Sequence, residues 1–204
     1  MRYKLWKIQE IWEKINTEMV AEDIKEVMQY LFPALWLAVG LFAAFCLLLY
    51  LIKRRMPRSP ILLFLFFWNN SMMAYISILC RPPGSRDRVD WTLFEFLNRG
   101  PSAMAYAVEN VLFFIPFGFL LSLLLQKSER GQKSFSENNF WFLKSVFCGM
   151  MVSIIIEGTQ FITKCGFVQA EDVMMNTVGT VVGCILAAGW WLVGVSLKRL
   201  KIED

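Results

Sequence analysis

The chain has 204 residues, 56% of them hydrophobic and 19% charged, a composition too apolar for a soluble domain of this size to bury in one core. Histidine is absent, which removes a histidine general base, a histidine-ligated metal site and a Ser/His triad. The formal charge of +4 comes mostly from short basic clusters beside apolar runs, a pattern that speaks for membrane topology and against nucleic-acid binding.

Residues 1–30 form an N-terminal segment in which Trp6, Ile8, Ile11, Trp12, Ile15, Met19, Val27 and Met28 recur at helical intervals between Lys and Glu. Such a segment lies amphipathically in the membrane interface or forms a solvated helical tail, and both readings stay open. A helix needs about 20 apolar residues to cross a hydrocarbon layer roughly 30 Å thick. Runs that meet this length cover 31–52, 60–79, 102–126, 140–162 and 173–197. They predict an all-α membrane protein, a bundle of five transmembrane helices forming one domain over residues 31–200. The alternation of a membrane β-barrel is missing. The first run follows mixed-charge residues and lacks a small-residue cleavage site, so it reads as a retained anchor. Trp36, Trp141, Trp190 and Trp191 stand near run ends, where indole rings favour the headgroup layer.

Basic loops orient the bundle. Lys53, Arg54, Arg55 and Arg58 follow span one, Lys127, Arg130 and Lys133 follow span three, and Lys198, Arg199 and Lys201 follow span five. The positive-inside rule makes that side cytoplasmic, with the N-terminus and the loops 81–101 and 163–171 outside. Loop 81–101 dissents, with Arg81, Arg86, Arg88 and Arg99 offset only in part by Asp87, Asp90 and Glu95. It opens on Arg-Pro-Pro-Gly-Ser, which cannot continue a helix. Trp91, Leu93, Phe94, Phe96 and Leu97 then predict a segment folded back on the membrane surface as a lid or re-entrant piece. The five cysteines contain no CxxC pair and read mainly as small buried residues. Cys80 and Cys165 fall at the same face, which leaves a disulfide between them open to test by thiol labelling.

Spans three to five carry the polar residues. Glu157 is the sharpest, because a carboxylate within a span costs at least a few kcal/mol unless it faces protein or water. Ser153 and Gln160 share its helix face, and Lys164 continues that face outward. Asp172, Asn176, Thr180 and Gly183 follow at steps of four or three in span five, with Gly179 beside them. Gly179 and Gly183 form GxxxG, and Ala187 extends a ridge that lets a neighbouring helix approach. Span three adds Glu109 and Asn110 ahead of Pro116, which is expected to bend the helix in mid-membrane. Asn110, Glu157 and Asn176 then share a depth roughly 5–12 Å inside the outer boundary. Plainer roles stand beside these: Asp172 as a helix-capping or first-turn acid, Asn110, Gln160 and Asn176 as interhelical hydrogen-bond partners, and Asn69 and Asn70 as packing or cavity lining.

At these residues the sequence resembles the VanZ-like family of bacterial integral membrane proteins. The resemblance rests on Glu109-Asn110-Val-Leu-Phe-Phe-Ile-Pro116-Phe-Gly118, on Glu157-Gly-Thr-Gln160, and on Asp172-Val-Met-Met-Asn176-Thr177-Val-Gly179-Thr-Val-Val-Gly183. These cover about residues 105–187; the first two spans match in general character only. The family pattern carries an arginine, often with another acid, between the positions of Gln160 and Asp172. This chain reads Lys-Cys-Gly-Phe-Val-Gln-Ala-Glu there, with Lys164 as the candidate replacement cation. The resemblance implies a multi-pass protein of the bacterial cytoplasmic membrane that lowers susceptibility to teicoplanin-type glycopeptide antibiotics. It supplies no mechanism.

Three functions follow. The first is a non-enzymatic factor that binds a glycopeptide, a lipid-linked wall precursor or a partner protein at its outer face through Asn110, Gln160, Asn176 and Lys164, with membrane lipid as its surroundings and partner. The second is an enzyme of envelope lipids or wall precursors, with Glu157 as acid/base and Asp172 orienting or stabilising charge. The third, a small transporter or flippase, needs polar residues through the inner halves of the spans, which read as apolar apart from Asn69 and Asn70. No phosphate-cradling glycine loop and no metal-ligand set beyond carboxylates is present, so no cofactor or metal is expected.

Overall fold

The computed structural model describes residues 17–94, 96–129 and 140–203. The sequence expectations for Trp6, Ile8, Ile11, Trp12, Ile15, Arg130 and Lys133 fall outside the described residues. Five helices among those described are long and apolar enough to cross a membrane, and the protein is a five-span helical bundle.

Helix α1 (Thr17–Lys53) runs without a break across residue 30, with Pro33 inside it. Its apolar crossing portion is Met28–Lys53. It ends where Arg54 takes a left-handed backbone (φ 52°), its N–H bonded to the Tyr50 carbonyl at 2.8 Å. The Arg54 guanidinium lies over the Tyr50 ring, a cation–π contact at the foot of the span. Helix α2 (Pro60–Ala74) starts on a proline, whose missing N–H would be unpaired in the first turn anyway. It continues as a π-helical turn, Tyr75–Leu79. Strand β1 (Arg86–Asp90) and the one-turn α3 (Phe96–Arg99) lead to α4 (Pro101–Glu129). Then come α5 (Phe140–Thr163), strand β2 (Cys165–Gln169) and α6 (Ala170–Glu203).

The most intimate packing is between α4 and α6, and glycine makes it possible. A Cβ on Gly179 would run into the Val111 carbonyl, one on Gly183 into the Ile115 carbonyl, and one on Gly118 into the Thr180 carbonyl. Inside a bilayer the lipid is as apolar as leucine, so helices associate through close packing and hydrogen bonds. Side chains of α2, α4 and α5 form a second core, Met73, Phe114, Phe117 and Ile156 with Phe66, Phe113, Leu121 and Val152 against it. Helix α1 leans on α2 through Phe42 and Phe64, whose ring centroids are 5.5 Å apart, and Phe45 and Phe67, also at 5.5 Å. Large residues left on the outside of the spans, including Leu47, Ile61, Phe147, Ile162 and Ile185, form the surface that a bilayer covers.

The loops contain structure that the sequence reading lacks. β1 and β2 pair in parallel, from Arg86 opposite Cys165 to Asp90 opposite Gln169, and the Gly84 N–H donates to the Thr163 carbonyl at 3.0 Å. The two loops at this end of the bundle are therefore one unit. Segment 91–97 stays apolar and exposed, with Trp91 76% accessible and Leu93, Phe94 and Leu97 also exposed.

Candidate functional site at the ribbon end of the bundle

Beneath the β1–β2 ribbon, polar side chains from four segments meet. Asn110 on α4 donates from Nδ2 to Oδ1 of Asp172 on α6 at 2.8 Å. Glu157 on α5 accepts the Gln169 N–H on Oε2 at 3.0 Å, so the carboxylate is tied to the end of β2. Gln160, one turn further, donates from Nε2 to the Ser77 carbonyl at 2.9 Å. That carbonyl lies in the π-helical turn, where the altered backbone repeat frees groups from the regular ladder. Glu171 accepts the Phe96 N–H at 3.5 Å, joining α3 to the first turn of α6. Glu157, Gln160, Glu171 and Asn176 are all buried, and Asp172 is partly accessible.

Acidic residues in the first turn of α6, Glu171 and Asp172, sit at the positive end of the helix dipole, which favours their charge. Glu157 and Asp172 are close enough to interact electrostatically. Arg81, just beyond the π-helical turn, lies within electrostatic range of both. In the sequence reading Arg81 is only one of four arginines in a loop that the positive-inside rule puts outside. A cation that defies the positive-inside pattern was the available signal that it has a local anionic partner. Glu171 was missed as the last residue of a loop, although two adjacent acids at a helix start are a recognisable pattern. Lys164 is exposed and ends α5 in a left-handed backbone with φ 52°.

Below this layer Asn176 donates to the Ser153 hydroxyl at 2.8 Å, and Thr180 returns its hydroxyl to the Asn176 carbonyl at 3.0 Å. The Asn176 Oδ1 is buried with no hydrogen-bond partner among the described residues. Thr180 in turn packs against Gly149, where any Cβ would meet its side chain. Asn110, Glu157, Gln160, Asp172 and Asn176 are thus brought into successive layers of the α4–α5–α6 junction. Pro116 is on the exposed side of α4, and the helix continues through it.

One expectation needs adjustment, and one question that the sequence leaves open is answered. The halves of the spans away from the ribbon are not wholly apolar: the Ser122 hydroxyl contacts the Ser145 hydroxyl at 3.1 Å and the Cys184 sulfur at 3.2 Å, all three fully buried. Serine and cysteine are small enough to vanish into a hydropathy average, and only the packing shows that they face one another. Cys80 and Cys165 are free thiols. The Cys80 Sγ donates to the Ile76 carbonyl at 3.2 Å, and the Cys165 sulfur accepts the Thr163 hydroxyl at 3.0 Å. Asn69 and Asn70 bond within their own helix, to the Met73 sulfur at 3.2 Å and the Phe66 carbonyl at 2.7 Å.

Five membrane-crossing helices, with carboxylates and amides gathered under a loop ribbon at one end, define a multi-pass membrane protein with a polar site at that end. The VanZ/LLP1 family model matches residues 60–193, and the chain belongs to this family. The match takes in α2, which the motifs of spans three to five do not reach. No curated protein and no solved structure matches the chain.

Proposed function

We propose that the chain binds an envelope ligand, a lipid-linked wall precursor or the glycopeptide itself, at its polar end, and thereby lowers susceptibility to teicoplanin-type antibiotics. In this reading the polar end faces outside and the C-terminus lies in the bacterial cytoplasm, following the basic loops after spans one, three and five. The observation that carries it is the convergence of Asn110 and Asp172, hydrogen-bonded to each other, with Glu157, bonded to the end of β2, and with Arg81 in electrostatic range of both carboxylates. Helix packing alone does not call for two carboxylates and an arginine at one level of a membrane bundle. An anionic group would be met by Arg81, while hydroxyl and amine groups of a sugar or peptide suit the carboxylates and the Asn110 amide.

The proximity of the carboxylates Glu157 and Asp172 favours a second reading, carboxylate acid/base chemistry on an envelope lipid or wall precursor. The substitution Glu157→Gln separates the two because it keeps shape and removes charge. Teicoplanin susceptibility is measured in a sensitive bacterium expressing each variant, alongside binding of a soluble wall-precursor analogue to the purified protein. Loss of protection with binding intact, accompanied by disappearance of a modified lipid or precursor by mass spectrometry, supports chemistry. Loss of both supports binding. If Glu157→Gln, Asp172→Asn and Arg81→Gln all protect as the native chain does, the polar end is not the functional site.

A further inference from the structure

The polar layers beneath the ribbon do not stop at Asn176. Ser153 and Asn176 are bonded to each other one turn below Glu157 and Asp172. A turn further, Thr180 occupies the space that Gly149 leaves, and at the next level Ser122 touches both Ser145 and Cys184. Gln126, the last residue of the third span, follows one turn beyond Ser122. On each of α4, α5 and α6 the members recur at steps of four or eight, so each helix contributes one continuous face. From Asn110 to Gln126 this column is roughly 24 Å long at about 1.5 Å per residue, most of a hydrocarbon layer about 30 Å thick.

Two levels hold side chains whose hydrogen bonding is incomplete. Asn176 is 5% exposed and its Oδ1 has no partner among the described residues; Gln126 is 8% exposed, and neither its Oε1 nor its Nε2 has one. A bare amide inside a hydrocarbon layer is costly, and buried polar groups of this kind are the seats of internal water, which takes about three polar partners. Such partners stand nearby: Asn176 is bonded to Ser153 and lies one turn from Asp172, and Gln126 lies one turn from Ser122. Charge is confined to the ribbon end, to Glu157 and Asp172 with Glu171 and Arg81 in electrostatic range. Below them the column's one titratable member among the described residues is the Cys184 thiol. A file of hydroxyls, amides and water suits a hopping proton and offers no counter-charge to a metal cation.

We propose that this column conducts protons between the Glu157–Asp172 pair and the opposite end of the bundle, through water held at Asn176 and Gln126 and the hydroxyls between them. At each water or hydroxyl an O–H bond forms to the incoming proton as the O–H bond on the far side breaks. One proton leaves for each that enters, no oxidant or reductant takes part, and a membrane potential or pH difference drives the transfer. Thr180 is the narrowest level, since Cβ atoms on Gly118 and Gly149 would both run into it. Its hydroxyl, bonded to the Asn176 carbonyl at 3.0 Å, links the two halves. A helical threonine has two accessible χ1 rotamers, so Thr180 acts as a gate that sets the rate. The activity does not depend on a ligand at the polar end.

The test uses the full chain in vesicles of phosphatidylglycerol and phosphatidylethanolamine that enclose the pH dye pyranine, with a potassium gradient and valinomycin setting the potential. Internal pH should change faster than in protein-free vesicles. Thr180→Val keeps the side-chain shape and removes the hydroxyl; it should slow the protein-dependent rate by about tenfold, equivalent to about 1.4 kcal/mol of barrier. Gln126→Leu should slow it as well, whereas Ile185→Ala, on the exposed face of α6, should not. Ser122→Ala takes the place of Thr180→Val if that variant does not fold. A rate equal to that of protein-free vesicles, or one that these column variants leave unchanged, overturns the proposal. So does a pH change that disappears when external sodium is replaced by choline. A second readout needs no flux: hydroxyl radicals generated by X-rays in bound water oxidise the side chains beside it. Cys184, fully buried, should be oxidised in the native chain and less so in Gln126→Leu. An unmodified Cys184 in a sample whose exposed residues are oxidised would show that level to be dry and overturn the proposal.

Discussion

Replacing Gly179 with alanine tests how the α4–α6 contact sets the site. The added Cβ would point at the Val111 carbonyl, with the Phe114 side chain 3.0 Å away. A carbonyl cannot rotate aside as a side chain can, so the helices must separate. Overpacking of this kind costs about 1–3 kcal/mol, whereas an unobstructed Gly→Ala change inside a helix gains up to about 1 kcal/mol. Gly189, also in α6, has nothing within 4 Å of its Cβ position and is the internal control. Thermal unfolding of the detergent-solubilised protein should therefore show Gly179→Ala melting lower by roughly 2–4 °C per kcal/mol, and Gly189→Ala unchanged or higher. The same separation would pull Asn110 from Asp172, a contact of 2.8 Å. On the proposed role in glycopeptide susceptibility, Gly179→Ala should thus also reduce protection at temperatures where the protein remains folded. Equal melting of the two variants would refute the claim that backbone contact at Gly179 controls the α4–α6 spacing.

Gly166 in β2 lies against Gln160, whose Oε1 would be 2.5 Å from an added Cβ. Gly166→Ala should destabilise by about 1–3 kcal/mol, and combination with Gln160→Ala should recover much of that loss; strict additivity in the double-mutant cycle would count against the contact. Asp90 lies outside the spans, where the Thr92 hydroxyl and N–H, with Arg99, hold its carboxyl below the ordinary 3.8. A depressed carboxylate contributes stability above its unfolded pKa and loses it as pH falls through the folded one. A nitroxide at residue 93 should keep constant mobility from neutral pH to about 4 and loosen only below; loosening near pH 6 would point to another group. Trp91, 76% exposed in the apolar 91–97 segment, should be quenched by brominated lipid, read as the difference from Trp91→Phe. Quenching by aqueous iodide alone would place the segment in water. Mass spectrometry after denaturing alkylation without reductant should find all five cysteines modified, and an unmodified Cys80–Cys165 pair would show a bridge.

The span pattern was legible because it is local: a hydrocarbon layer of given thickness demands an apolar run of matching length, whatever that run packs against. Helical periodicity likewise placed Ser153, Glu157 and Gln160 on one face, and Asp172, Asn176 and Thr180 on another, with no knowledge of neighbours. What those faces meet is not a local property. Only tertiary packing put Asn110 on Asp172 and turned Gln160 toward a backbone carbonyl in the π-helical turn after α2. It also brought Arg81 to two carboxylates far along the chain, and joined two loops into a parallel pair whose partners are some 80 residues apart. Hydropathy averages hid Ser122, Ser145 and Cys184 because each is small, and no window along the chain contains all three. The chain alone thus determined how many times it crosses and which helix faces are polar. The fold decided which polar groups share a site, because contacts between helices depend on separations that no single helix encodes.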